Sequence, residues 1–225
     1  MNTDLYKKIT EVFKANFEEQ PVFIFSPGRI NIIGEHTDYN DGFVFPAAVD
    51  KGIIAAISKS DNNKSSAIAV DLDEQYDFSV NEVEPIKNGN WRNYIVGVVG
   101  EIQKKGKQVG NFNIAFGGDI PNGSGMSSSA ALENSVVFGL NDLFELGLTK
   151  TEMIFISQKA EHNYVGVNCG IMDQYASMFG QDNHALLLDC RTTIATPFLI
   201  DFKEYELLLI NTNVKHSLAD SAYNN

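Results

Sequence analysis

A glycine- and serine-rich stretch, Gly117-Gly-Asp-Ile-Pro-Asn-Gly-Ser-Gly-Met-Ser-Ser-Ser-Ala-Ala-Leu-Glu133, constrains this chain more than any other. Phe112, Ile114 and Phe116 alternate before it as in a half-buried strand, and Ala130 to Phe144 is apolar at helical spacing after it. A loop therefore joins a strand to a helix. Gly123 and Gly125 permit backbone angles that a β-carbon forbids, and the serines that follow can cap the helix. Unpaired N–H groups and the positive end of the helix dipole make such a loop a receptor for an oligophosphate. No Lys follows the second glycine, so the pattern G-x-x-x-x-G-K-[ST] is absent and neutralisation falls partly to a metal held by a hydroxyl or carboxylate. Taken alone, the loop is equally compatible with a serine-rich cap and no ligand.

Composition narrows the choices. The 225 residues suit one large domain or two small ones, and 44% hydrophobic residues can bury a core. A net charge of −12 with no basic cluster argues against a nucleic-acid surface. An acidic chain that binds nucleotide anions must do so locally. Cys169 and Cys190 have no metal-ligand spacing and read as reduced thiols. The N-terminus is amphipathic with mixed charge, and no apolar run reaches membrane-spanning length, so the expectation is a cytoplasmic protein with no membrane partner.

Along the chain, Leu5 to Phe17 predicts a docking helix and Val22 to Phe25 a short strand. Residues 26–42 then place Arg29, Glu35, His36 and Asp38 among glycines and turn formers. Such a cluster offers several acceptors and a donor to a ligand rich in hydroxyls, although each residue singly is also explained by a polar turn. Two strands are expected within Gly42 to Ser58, and two more at Ala67 to Asp71 and Tyr76 to Val80. Trp91 to Lys105 reads as a helix, with Trp91 in packing or in stacking on a base. Thr149 to Val165 reads as a helix opened by a Thr149–Glu152 capping box and carrying Glu161 and His162. Ile171 to Phe179 predicts another helix, with Asp173 in its first turn. His184 to Asp189 and Tyr205 to Asn211 are expected strands, ahead of a polar tail from Asn213 to Asn225.

The run Gly28-Arg-Ile-Asn-Ile-Ile-Gly-Glu-His-Thr-Asp-Tyr-Asn-Asp-Gly-Phe-Val closely resembles the galactokinase signature. Gly123-Ser-Gly-Met-Ser-Ser-Ser-Ala resembles the phosphate loop of the GHMP small-molecule kinases, and Trp91-Arg-Asn-Tyr-Ile-Val-Gly-Val and Cys169-Gly-Ile-Met-Asp-Gln add two further matches. The resemblance implies an α+β fold: a two-layer GHMP kinase N-terminal domain, with a mixed sheet and helices on one side. It implies domain limits of 1–205, with 206–225 beginning a C-terminal domain that is otherwise absent.

It also implies ATP-dependent phosphorylation of the anomeric hydroxyl of galactose, with ATP and Mg²⁺ as cofactors. Asp173 would act as base or orienter and Arg29 would stabilise charge. Glu35, His36, Thr37, Asp38, Gly170 and Tyr223 would line the sugar site. Gly123, Ser124, Gly125, Met126, Ser127, Ser128 and Ser129 would wrap the ATP phosphates, with Trp91 beside the nucleotide. Ser129 and Glu161 would hold the metal. The chain is expected to be a monomer, or to depend on the absent domain. Another sugar 1-kinase of the N-acetylgalactosamine type, a non-catalytic galactose and ATP sensor, and an inactive fragment remain open alternatives.

Overall fold

The computed structural model describes residues 2–121 and 123–210. Its centre is a five-stranded mixed sheet built from β1 (Val22–Asn31), β3 (Pro46–Lys59), β4 (Ser65–Ala69), β5 (Glu74–Phe78) and β6 (Phe112–Gly118) in the order β1-β3-β6-β4-β5. Only β4 and β6 run parallel; the other neighbours are antiparallel. This sheet and the helices below give the expected α+β architecture.

Strand β3 explains how the layers form. Ile53, Ile54, Ala55, Ala56 and Ile57 are all buried, and a strand whose successive residues are all apolar must be covered on both faces. Ile53, Ala55 and Ile57 face the larger core, which receives α2 (Trp91–Lys104), α3 (Ser128–Leu143) and α4 (Lys150–Ala160). Ile54 and Ala56 face the opposite way, where Ile9 and Phe13 of α1 (Thr3–Asn16) join Ile68, Val70 and Ala115. The main helical layer thus lies on one side, while among the described residues α1 alone covers the other. This cover also explains why β6 is buried throughout, rather than half-buried as its alternation suggested.

A second sheet, β2-β7-β8, is formed by β2 (Phe43–Val44), β7 (His184–Asp189) and β8 (Ile194–Leu199). Val44, Leu186 and Leu188 pack with Ile154 of α4 and with Ile171, Met172 and Tyr175 around the start of α5 (Met172–Phe179). Sequence reading missed β8 because its Thr196-Pro197 pair breaks a strand pattern, and an edge position is where a sheet tolerates proline. The strand expected at Tyr205 to Asn211 does not form over its described part. Tyr205, Leu208 and Ile210 are exposed with no ladder to join, and an unpaired apolar run has no sheet to stabilise it. No helix among the described residues is long and apolar enough to cross a membrane.

Because α1 is the sole helix on its face among the described residues, its anchors should matter beyond their number. Phe13→Ala removes a fully buried ring and is expected to cost about 3–5 kcal/mol in urea unfolding; a loss below about 1 kcal/mol would mean that α1 docks only loosely.

Candidate active site

The glycine loop leaves β6 and enters α3 through left-handed backbone: φ is 73° at Gly123, 68° at Gly125 and 56° at Ser127. The two glycines adopt this conformation without a steric penalty. Ser127 is the residue that precedes α3, but its side chain does not cap the helix as expected. Its hydroxyl instead donates to Asp173 Oδ2 at 2.6 Å. The helix N-terminus keeps its N–H groups free of that hydroxyl. Nearby, the Ser124 hydroxyl is buried with no partner, an orphaned donor within the proposed phosphate loop.

Strand β1 brings Arg29 to the same point. Its backbone N–H donates to Met126 O at 3.2 Å, and Nη1 donates to Gly125 O at 2.5 Å. Nε and Nη2 both donate to Asp173 Oδ1, at 2.8 and 2.6 Å. Arg29 and Asp173 are 13% and 23% exposed, so the ion pair is partly shielded from water yet open at one side. β1, the loop and the first turn of α5 therefore meet at one carboxylate.

Asp38 lies beside this centre in a short 3₁₀ turn, Asp38–Asn40. Burial, and then the charge of Asp173, push its carboxyl above the usual carboxylate range. A β-carbon at Gly170 would overlap the Asp38 carboxylate, so glycine is required there for the two segments to touch. Asp38, Gly170, His162, Cys169 and Cys190 are among the residues lining a cavity of about 310 Å³.

The rest of the expected sugar cluster is more dispersed. Glu35 and His36 are exposed; Glu35 accepts from Asn31 Nδ2 at 3.0 Å and His36 Nδ1 lies 2.5 Å from the Tyr39 hydroxyl. Thr37 donates to the carbonyls of Gly34 and Phe43, at 2.6 and 2.7 Å, and so builds the turn. Tyr223 lies outside the described residues. Trp91, expected beside the nucleotide, is a core residue: its ring packs edge-to-face on Phe116 and its N–H donates to Glu74 at 2.8 Å. A large ring gains more from that burial than from an exposed face.

Ser129 lies near Glu161, where its hydroxyl favours the ionised form of that carboxyl. Glu161 follows α4 in the π-helical turn Glu161–Val165 and is buried, which pushes its carboxyl above the usual range. No group of three or more His, Cys, Asp or Glu able to hold a metal occurs among the described residues. A hydroxyl and a carboxylate, oxygen donors only, nevertheless suit Mg²⁺, which commonly takes one or two protein ligands and completes its shell with phosphates and water.

Glu133, which the sequence reading passed over, is fully buried behind Glu161. Burial, followed by the charge of Glu161, pushes its carboxyl well up, and its Oε1 has no partner. The signal was present: Glu133 is the one acid in 130–137, between the apolar residues Ala130 to Leu132 and Val136 to Val137, where a buried polar group is the informative kind of exception.

Residues 11–59 match the galactokinase galactose-binding signature and residues 93–181 match the GHMP kinases N terminal domain. A galactokinase of Clostridium acetobutylicum is 42% identical over 98% of this chain, and one of Thermosipho africanus is 44% identical over 88%. The chain resembles galactokinases along nearly its whole length. The crystal structure of Lactococcus lactis galactokinase complexed with galactose superimposes with a TM-score of 0.90 at 36% identity, covering 97% of this chain. A Methanococcus jannaschii mevalonate kinase, at 16% identity and a TM-score of 0.66 over 82% of this chain, shares the fold. The chain spans somewhat more than half of these galactokinases: 57% of the Clostridium protein, 55% of the Thermosipho protein and 58% of the Lactococcus chain.

The buried Glu133 makes a testable pH effect in this chain. An unfolded glutamate releases its proton near 4.5, whereas folded Glu133 retains it to higher pH. Stability is therefore lost as pH rises from the unfolded value through the raised folded one. Glu133→Gln keeps the shape and removes the titration, so the Tm advantage of the variant should grow as pH rises above 4.5. Parallel Tm profiles would contradict a strongly perturbed Glu133.

Proposed function

We propose that this chain carries the galactose and ATP centre of a galactokinase, transferring the γ-phosphoryl group of ATP to the anomeric hydroxyl of galactose. The observation that carries this reading is the convergence of Arg29, Ser127 and Asp173, which joins the galactose signature to the phosphate loop through direct hydrogen bonds. A base aligned for the sugar and a cation beside the transferred group are what phosphoryl transfer requires.

In this reading the chain's residues divide the work. Asp38, Gly170, Glu35 and His36, with Tyr223, bind the sugar hydroxyls, and Thr37 shapes the turn that presents them. Asp173 accepts the proton of the anomeric hydroxyl. The sugar oxygen bonds to the γ-phosphorus, the bond from that phosphorus to the bridging oxygen breaks, and ADP leaves with the electron pair. Arg29, donating to both Asp173 and the Gly125 carbonyl, sits to stabilise charge on the transferring group. Gly123 to Ser129, the unpartnered Ser124 hydroxyl and the N-terminus of α3 receive the phosphates. Ser129 and Glu161 hold Mg²⁺, which supplies positive charge against the phosphates when bound. The same reading assigns 1–205 to the kinase N-terminal domain and 206–225 to the start of a second, and places the enzyme in the cytoplasm, where ATP is available.

The test is ADP release by the 225-residue chain given ATP, Mg²⁺ and galactose, with calorimetric galactose binding measured in parallel. Asp173→Asn should retain galactose binding and lose at least about 10²-fold in transfer. Undiminished turnover by the variant would remove Asp173 from its role; a wild-type chain with neither turnover nor galactose binding would overturn the reading as a whole.

A further inference from the structure

Asp173 and Gln174 are neighbours in the first turn of α5, yet their side chains serve different sides of it. Asp173 reaches Arg29 and the loop, while Gln174, fully buried, reaches inward between α3 and the turn that follows α4. The Gln174 side-chain nitrogen donates to Glu161 Oε2 at 2.9 Å and to Glu133 Oε2 at 3.4 Å. Its backbone carbonyl accepts from Asn134 Nδ2 at 3.0 Å, which ties the same residue to α3.

The amide presents its NH₂ to both carboxyl groups. The consequence is an unpartnered Gln174 Oε1 inside the core. An apolar side chain of similar size would avoid that orphan, so the amide donors must do something that packing alone would not. What they reach is the carboxylate that faces Ser129. Glu161 Oε2 also lies 3.1 Å from the Cys169 thiol, a weak donor, so Gln174 is the stronger of the two groups holding that oxygen. Two donors on one carboxylate oxygen fix the rotation of the group and thereby the direction of the other oxygen.

We propose that Gln174 is a positioning residue: it orients the Glu161 carboxylate for Mg²⁺ and, through the turn it shares with Asp173, fixes the metal side of the centre relative to the sugar side. This rests on the galactokinase reading above, with Ser129 and Glu161 as the metal's protein ligands. Groups that orient a ligand from behind govern metal affinity even though they never touch the metal.

The test is an electron paramagnetic resonance titration of Mn²⁺ into the 225-residue chain with ATP present, set beside ATP binding in EDTA and galactose binding by calorimetry. Gln174→Met keeps the volume and removes the donors; Gln174→Glu keeps the shape and serves if the methionine chain does not fold. Mn²⁺ binding should weaken by about tenfold or more, while metal-free ATP and galactose bind as in wild type. In a Glu161→Gln background, Gln174→Met should cost nothing further, because the group it positions is gone. Unchanged Mn²⁺ binding by a folded variant, or an equal loss in all three titrations, would overturn the proposal. A wild-type chain that binds neither ATP nor galactose would instead overturn the galactokinase reading on which it stands.

Discussion

The ion pair between Arg29 and Asp173 holds the centre together, because it ties separate parts of the chain to one carboxylate. It links β1 to α5, and the hydrogen bonds that each partner adds extend the link to Gly125 and Ser127 of the loop. Charges this shielded are costly to separate: removing one partner leaves the other partly desolvated with no counter-charge. The fold supplies the rigidity that makes the pair possible. β1 is an edge strand of the central sheet, held along most of its length by β3, and α5 rests against the second sheet.

Behind this pair lies an acidic interior. Asp38, Glu133 and Glu161 all have their carboxyls pushed upward, each chiefly by burial and further by the charge of another carboxylate of the same cluster. Such a concentration of acids with a single nearby guanidinium is expensive to fold around. It becomes intelligible as a site prepared for cations and for proton acceptance, where perturbed carboxylates gather. The Gln174 amide fits the same account, since it satisfies two of these acids at the cost of its own carbonyl.

Much of this was legible in the residues. The loop between β6 and α3, the helices and the Thr149 capping box follow from spacing and motif, whereas the Ser129–Glu161 pairing came only with the family resemblance. Other features depend on what covers a segment, which local pattern does not reveal. β6 reads as half-buried until α1 is placed over Ala115, and Tyr205 to Ile210 reads as a strand although no neighbour among the described residues pairs with it. Ser127 reads as a helix cap because serine usually is one there; only the approach of α5 offers its hydroxyl the stronger charged acceptor, Asp173. Trp91 belongs to the core for the same kind of reason, since Phe116 and Glu74 reach it from distant parts of the chain.

The central claim is that one carboxylate, Asp173, faces the sugar on one side and the phosphate loop through Arg29 and Ser127 on the other. A crystal structure of the chain with galactose, Mg²⁺ and a non-hydrolysable ATP analogue tests it most directly. The account predicts the anomeric oxygen in hydrogen-bonding distance of Asp173, and the γ-phosphate beside Arg29 at the N-terminus of α3. A sugar whose anomeric oxygen points away from Asp173, or a triphosphate bound away from Gly123 to Ser129, would contradict it.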